Sequence, residues 1–187
     1  MNIRGFARVL VQEIMSGTPS ATIKNEAQFE LEHVIGPAWE LAKYHPEIVL
    51  CVHPSKSRKS CEGGCDKAVG DTVRRVCGCP QCWKGSKAWS VVDAYGLRHN
   101  FDLVARDARG QSLAVEVKWL SFSGGRGPNS EFQRFVGQCA LAAAGHAIVL
   151  GICGIRGKRD KAFEKHTENV ARKLKAIGVQ LIILPAR

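Results

Sequence analysis

Three side chains in the middle of the chain have the types and spacing for hydrolytic chemistry: Asp102 and, beyond thirteen intervening residues, the pair Glu116 and Lys118. The stretch that holds them, from Asn100 to Leu120, reads NFDLVARDARGQSLAVEVKWL. Phe101, Leu103 and Ala105 alternate with Asp102 and Val104, Asp107 to Gly110 supply turn chemistry, and Leu113, Val115, Val117 and Trp119 alternate with Ala114, Glu116 and Lys118. Two strands about a tight turn are expected. Side chains two apart on a strand share a face, so Glu116 and Lys118 point the same way, and hairpin pairing lets Asp102 join them. Two carboxylates that converge repel each other unless a cation lies between them. Hard oxygen ligands suit Mg²⁺, which keeps several waters and engages substrate phosphate. A lysine beside that ion stabilises a phosphate oxyanion or, with a depressed pKa, orients or deprotonates the attacking water. The chemistry expected is phosphodiester hydrolysis. The plain alternative is an exposed strand face whose Glu and Lys serve solubility.

The elements around this hairpin must position it. Residues 1 to about 16 carry Phe6, Val9, Leu10 and Ile14 at helical spacing, ended by Gly17 to Ser20. A second helix is expected from the N-cap Asn25, with Ala27, Leu31, Val34, Ala38 and Leu41 as its buried face and a kink or break at Gly36-Pro37. On an adjacent stripe Glu26, Glu30 and His33 read as a solvated face. Strands are expected over 47–52 and 88–95. After the hairpin come a glycine-rich loop, a helix from about Ser130, an apolar strand from His146 to Ile155, an amphipathic helix from Asp160 to Ile177 and a last strand from Val179 to Leu184. This order predicts an α/β fold, a mixed central sheet flanked by helices on both faces.

The motif resembles that of the PD-(D/E)XK nuclease superfamily, which includes many restriction endonucleases, junction resolvases and repair nucleases. Phe101-Asp102 stands at the first acid and Glu116-Val117-Lys118 at the second acid, spacer and lysine. The family often has proline where Phe101 stands, a minor departure because that proline is not a ligand. The resemblance implies a restriction-endonuclease-like fold with Asp102, Glu116 and the main-chain carbonyl of Val117 holding Mg²⁺. It also implies a glutamate on the first core helix, where Glu30 follows Phe29 and Glu26 is the alternative one turn earlier. A glutamine on the helix after the hairpin, near the phosphates, is expected at Gln138, with Gln133 as runner-up; Ala142 stands where an aromatic is expected.

Between His53 and Lys87 the composition changes: lysine, arginine, glycine and cysteine dominate, and large aliphatics are scarce. Such a segment lacks the apolar side chains for its own core. Five of the eight cysteines fall there: Cys61, Cys65, Cys77, Cys79 and Cys82. Cys61-x3-Cys65 and Cys79-Pro-Gln-Cys82 form two ligand pairs suited to tetrahedral Zn²⁺, whose binding would fold the segment. Cys77 competes with Cys79, Cys51 and His53 are further donors, and an iron–sulfur cluster is the other occupant such thiolates admit. The segment is therefore expected to be a small zinc-binding insertion, 53–87, within one domain spanning 1–187. Its Arg58, Lys59, Arg74 and Arg75 are expected to grip a phosphate backbone.

Composition agrees with an anionic partner. Lys and Arg number 27 against 17 Asp and Glu, a formal charge of +10. The 45% hydrophobic and 24% charged content is that of an ordinary globular chain. No apolar run approaches the roughly 20 residues of a membrane span, which predicts a cytoplasmic protein with no membrane partner. The reading is a Mg²⁺-dependent endonuclease acting on DNA, with structural Zn²⁺ and a homodimer if both strands are cut. Two other readings compete: a non-catalytic DNA-binding zinc module that keeps the fold, and an interaction protein whose basic surface meets an acidic partner.

Overall fold

The computed structural model describes residues 1–20, 22–52, 91–94, 97–122, 129–157 and 161–186. The cysteine-rich insertion, with Cys61, Cys65, Cys77, Cys79, Cys82, Arg58, Lys59, Arg74 and Arg75, lies outside the described residues.

The chain opens with α1 (Ile3–Ser16), capped by Asn2, whose side chain accepts from the Gly5 N–H at 2.8 Å. Asn25 caps α2 (Glu26–Glu30) in the same way, accepting from Gln28 N–H at 3.0 Å, while the Gln28 side chain accepts from Lys24 N–H. The helix does not break at Gly36-Pro37. A π-helical turn over Leu31–Ile35 precedes α3 (Gly36–Lys43), and Gly36 donates to the carbonyl of Leu31 instead of Glu32. Pro37 has no N–H for His33, and its ring would crowd that carbonyl; widening the helix by one residue relieves both problems.

That extra residue rotates the buried face. Phe29, Glu30, Val34, Ile35, Ala38, Trp39 and Ala42 are buried, whereas the expected Ala27, Leu31 and Leu41 are only half-buried. Glu30 thus leaves the solvated stripe expected of it and lies 1% exposed.

The main sheet has five strands in the order β1-β4-β5-β6-β7, namely β1 (Val49–Val52), β4 (Leu103–Arg106), β5 (Ser112–Ser121), β6 (Ile148–Arg156) and β7 (Val179–Pro185). β1 and β4 are antiparallel, as are β4 and β5, and β5, β6 and β7 run parallel. The strands β2 (Val91–Ala94) and β3 (Leu97–Asn100) form a separate antiparallel pair. The described residues also form the helices α4 (Asn129–Ala142) and α5 (Lys161–Lys175). The fold is therefore mixed α/β, with the sheet flanked by helices, as the order of elements predicts.

One core layer joins α1, α2 and α3 to Leu103, Ala105, Leu113, Val115, Val117 and Trp119; the other joins α4 and α5 to Val104, Ala114 and Leu120. Both faces of β5 are covered, so its burial is nearly continuous and only Lys118 and the terminal Ser121 break it. The turn from β4 to β5 uses Asp107 as expected. Its carboxylate accepts from Arg109 N–H and Gln111 N–H and from Ile3 N–H at 3.0 Å, which ties α1 to the hairpin. Burial works against that charge, but the N–H donors of Ile3, Gln111 and Arg109 outweigh it and hold the carboxyl below its usual range. Gly110 closes the turn at φ +77°.

Candidate active site

The site arises where two strands of unequal length part company. β4 pairs with β5 only as far as Leu103 opposite Val115, but β5 continues to Ser121 beside β6. Past Val115, the β4 side of β5 presents main-chain groups with no strand among the described residues to receive them. Two carboxylates take that place: Asp102 Oδ2 accepts from Val117 N–H at 2.7 Å and Glu26 Oε2 from Trp119 N–H at 3.2 Å. Asp102 stands at a bend just before β4 rather than within the strand. It therefore meets β5 edge-on, where a strand face was expected. A strand residue that directs its N–H to one side presents its C=O to that side too, so the Val117 carbonyl opens toward Asp102.

Glu26 has a second contact through the same oxygen, an ion pair with Lys118 Nζ at 2.7 Å. Lys118 and Glu26 keep 26% and 32% of their side-chain surface, so solvent reaches the pair. Glu30 and Glu116 are buried. Burial holds the Asp102 carboxyl well above the ordinary carboxylate range, and the charges of Glu116, Glu30 and Glu26 push it the same way; only the Val117 N–H opposes them. Glu30 and Glu26, the two alternatives on the first core helix, both act on the Asp102 carboxyl, and Glu26 also pairs with Lys118.

Packing fixes that helix. Phe29 stands between the two glutamates in sequence, with its ring centroid 5.0 Å from Trp119 and 5.5 Å from His33. Gly154 of β6 makes room for this stack: a Cβ there would lie 2.4 Å from a Trp119 ring carbon and 2.7 Å from Phe29. No signal in the sequence pointed to Gly154, since it reads as one apolar strand residue among many.

Gln138 is half-buried on α4 and Gln133 is exposed on the same helix. The neighbouring Cys139 is fully buried; burial raises its thiol pKa, and the charges of Glu116 and Asp102 add to the effect. That turn of α4 therefore lies beside the carboxylates. Cys139 and Cys153 are buried free thiols within the core.

Among the described residues no three potential ligand side chains form a ready-made metal cluster. The donor chemistry nevertheless fits a hard divalent ion. Carboxylates crowded around Asp102, whose own carboxyl is held well above its usual range, next to a main-chain carbonyl and with the nearby lysine already paired, are relieved by positive charge supplied from outside. The chain matches no family model, no curated protein and no solved structure.

Proposed function

We propose that the protein is a Mg²⁺-dependent nuclease of the PD-(D/E)XK type that hydrolyses phosphodiester bonds in DNA. The observation that carries the reading is the meeting of Asp102, Glu116, Glu30 and Glu26 at the open edge of β5 with Lys118 alongside. Asp102, Glu116 and the Val117 carbonyl would hold the ion. Bound there, Mg²⁺ would neutralise the carboxylates and polarise a phosphate oxygen. Lys118 directs its ammonium to the phosphate and positions the attacking water. Glu26 fixes that ammonium in place, and Glu30 adds charge that favours cation over proton at Asp102. Gln138 reaches the phosphate backbone from α4. The water oxygen adds to phosphorus and gives up a proton to solvent as a P–O bond to the sugar breaks, and the leaving oxygen takes a proton from solvent.

The insertion extends this reading: Cys61, Cys65, Cys79 and Cys82 hold structural Zn²⁺, and Arg58, Lys59, Arg74 and Arg75 clamp the backbone. The net charge of +10 supports an anionic partner. Incubation of the purified protein with supercoiled plasmid and Mg²⁺ is expected to nick or linearise it, and Asp102→Ala and Lys118→Ala to leave it intact. Wild-type protein that binds duplex, branched and single-stranded DNA yet cuts none of them would replace this proposal with a non-catalytic DNA-binding module.

A further inference from the structure

The last strand of the sheet carries an interaction surface that the chemistry above does not use. Among the described residues no strand pairs with the outer edge of β7. The phase of that edge follows from its ends: the Gly178 carbonyl accepts from Val149 N–H and Ala186 N–H donates to the Ile155 carbonyl. Even-numbered positions thus face β6, and Val179, Leu181 and Ile183 turn their N–H and C=O groups outward. Pro185, the next outward position, has no N–H to leave unpaired. An edge with the sequence VQLIILP has no charge to discourage another strand. Exposed apolar side chains flank it, Met15 at 62% on the α1 side and Ile177 at 51% just before the strand.

We propose that β7 is a dimer interface, pairing antiparallel with β7 of a second copy about a two-fold axis at Leu181, so that two five-stranded sheets become one. In this register Leu181 meets its own counterpart and Val179 meets Ile183, each pair exchanging both N–H···O bonds. The occupant is a second copy because the neighbouring helix is complementary to itself. On α5, Ala171, Arg172 and Lys175 border a recess with Val179, Gln180 and Leu181. Glu168 lies on the same stripe, one turn before Ala171 and Arg172 and two turns before Lys175. The two-fold axis sets the two α5 helices antiparallel across the joined strands. Ala171 then faces Ala171 near the axis, where a small side chain permits close approach, the adjacent Arg172 guanidinium being drawn along its own helix to Asn169 Oδ1 at 3.1 Å, and Glu168 of each helix faces Lys175 of the other. Within one helix these two residues are ~10 Å apart along the axis, too far to pair with each other.

Sedimentation of the full chain at micromolar concentration is expected to give twice the 20.4 kDa of one copy. Glu168→Lys and Lys175→Glu each place like charges at both contacts and are expected to weaken association by about tenfold or more. An equimolar mixture of the two variants restores both attractive pairs and with them the dimer, a rescue that only contact between copies produces. Circular dichroism of each variant establishes that it is folded. A monomeric wild type overturns the proposal. So do variants that dimerise like wild type, which would place any dimer elsewhere, and a mixture that stays monomeric.

Discussion

At Asp102, burial and three neighbouring carboxylates act in one direction. A folded-state pKa above that of the unfolded chain means that stability is lost as pH rises through the gap between them. Mg²⁺ at pH 8 is therefore expected to raise the melting temperature of the wild type. Asp102→Asn, which still accepts from Val117 N–H, is expected to melt higher than wild type without the ion and to lose the response to it. A wild type indifferent to millimolar Mg²⁺ would remove the cation from the site. His146 behaves in the opposite sense. It is buried against Phe101, 2.9 Å from Ser112 Oγ through Nδ1, and burial lowers its pKa from 6.5 to about 4. Between those values the unfolded chain takes up a proton that the folded one refuses, so stability is full above pH 6.5 and falls toward pH 4. The ceiling is ~3 kcal/mol. Denaturant melts at pH 7.5 and 5 are expected to show this loss, and His146→Gln to reduce it. Asp102, Glu116 and Lys118 were legible as a spacing because all three belong to one hairpin. The grip of Glu26 on Lys118 was not, since it joins segments about ninety residues apart.

Among the elements, caps and turns were the most legible, because Asn25, Asp107 and Gly110 act on neighbours within a few residues. The face of the second helix was not. Helical periodicity from Ala27 to Leu41 assumes 3.6 residues per turn throughout, and the π-helical turn ahead of Pro37 breaks that phase. Alternation along β4 and β5 likewise hides that both faces are covered. Gly154 is the position where this packing is least forgiving. Gly154→Ala is expected to cost about 1–3 kcal/mol by driving Trp119 and Phe29 apart. Because Phe29 stands between Glu26 and Glu30, the same change should lower the proposed nuclease activity at temperatures where the variant remains folded. Urea titration measures the first effect and plasmid nicking the second; a Gly154→Ala protein with wild-type stability would show that the stack adjusts freely.

For the molecule as a whole, the sequence revealed that a sheet is flanked by helices, but not that β1 and β7 stand outermost among its described strands. Strand order depends on pairings between distant segments, on which local pattern is silent. Charge, by contrast, is legible from composition alone. If the +10 balance serves a phosphate backbone, filter binding from 50 to 200 mM salt is expected to show affinity falling linearly on a log–log scale, with a slope proportional to the phosphates contacted. Affinity independent of salt would point to a partner other than nucleic acid. The pairing at the end of β1 carries one more consequence. Val52 lies opposite Leu103, the residue after Asp102, so the chain departs for the insertion within a residue or two of the acids. A ligand bound along that segment is linked to the carboxylates through the chain, which raises its effective concentration at them. Under the proposed nuclease function, capture there can be weak and quickly reversed while the acids still meet their substrate often, which suits release after each cut.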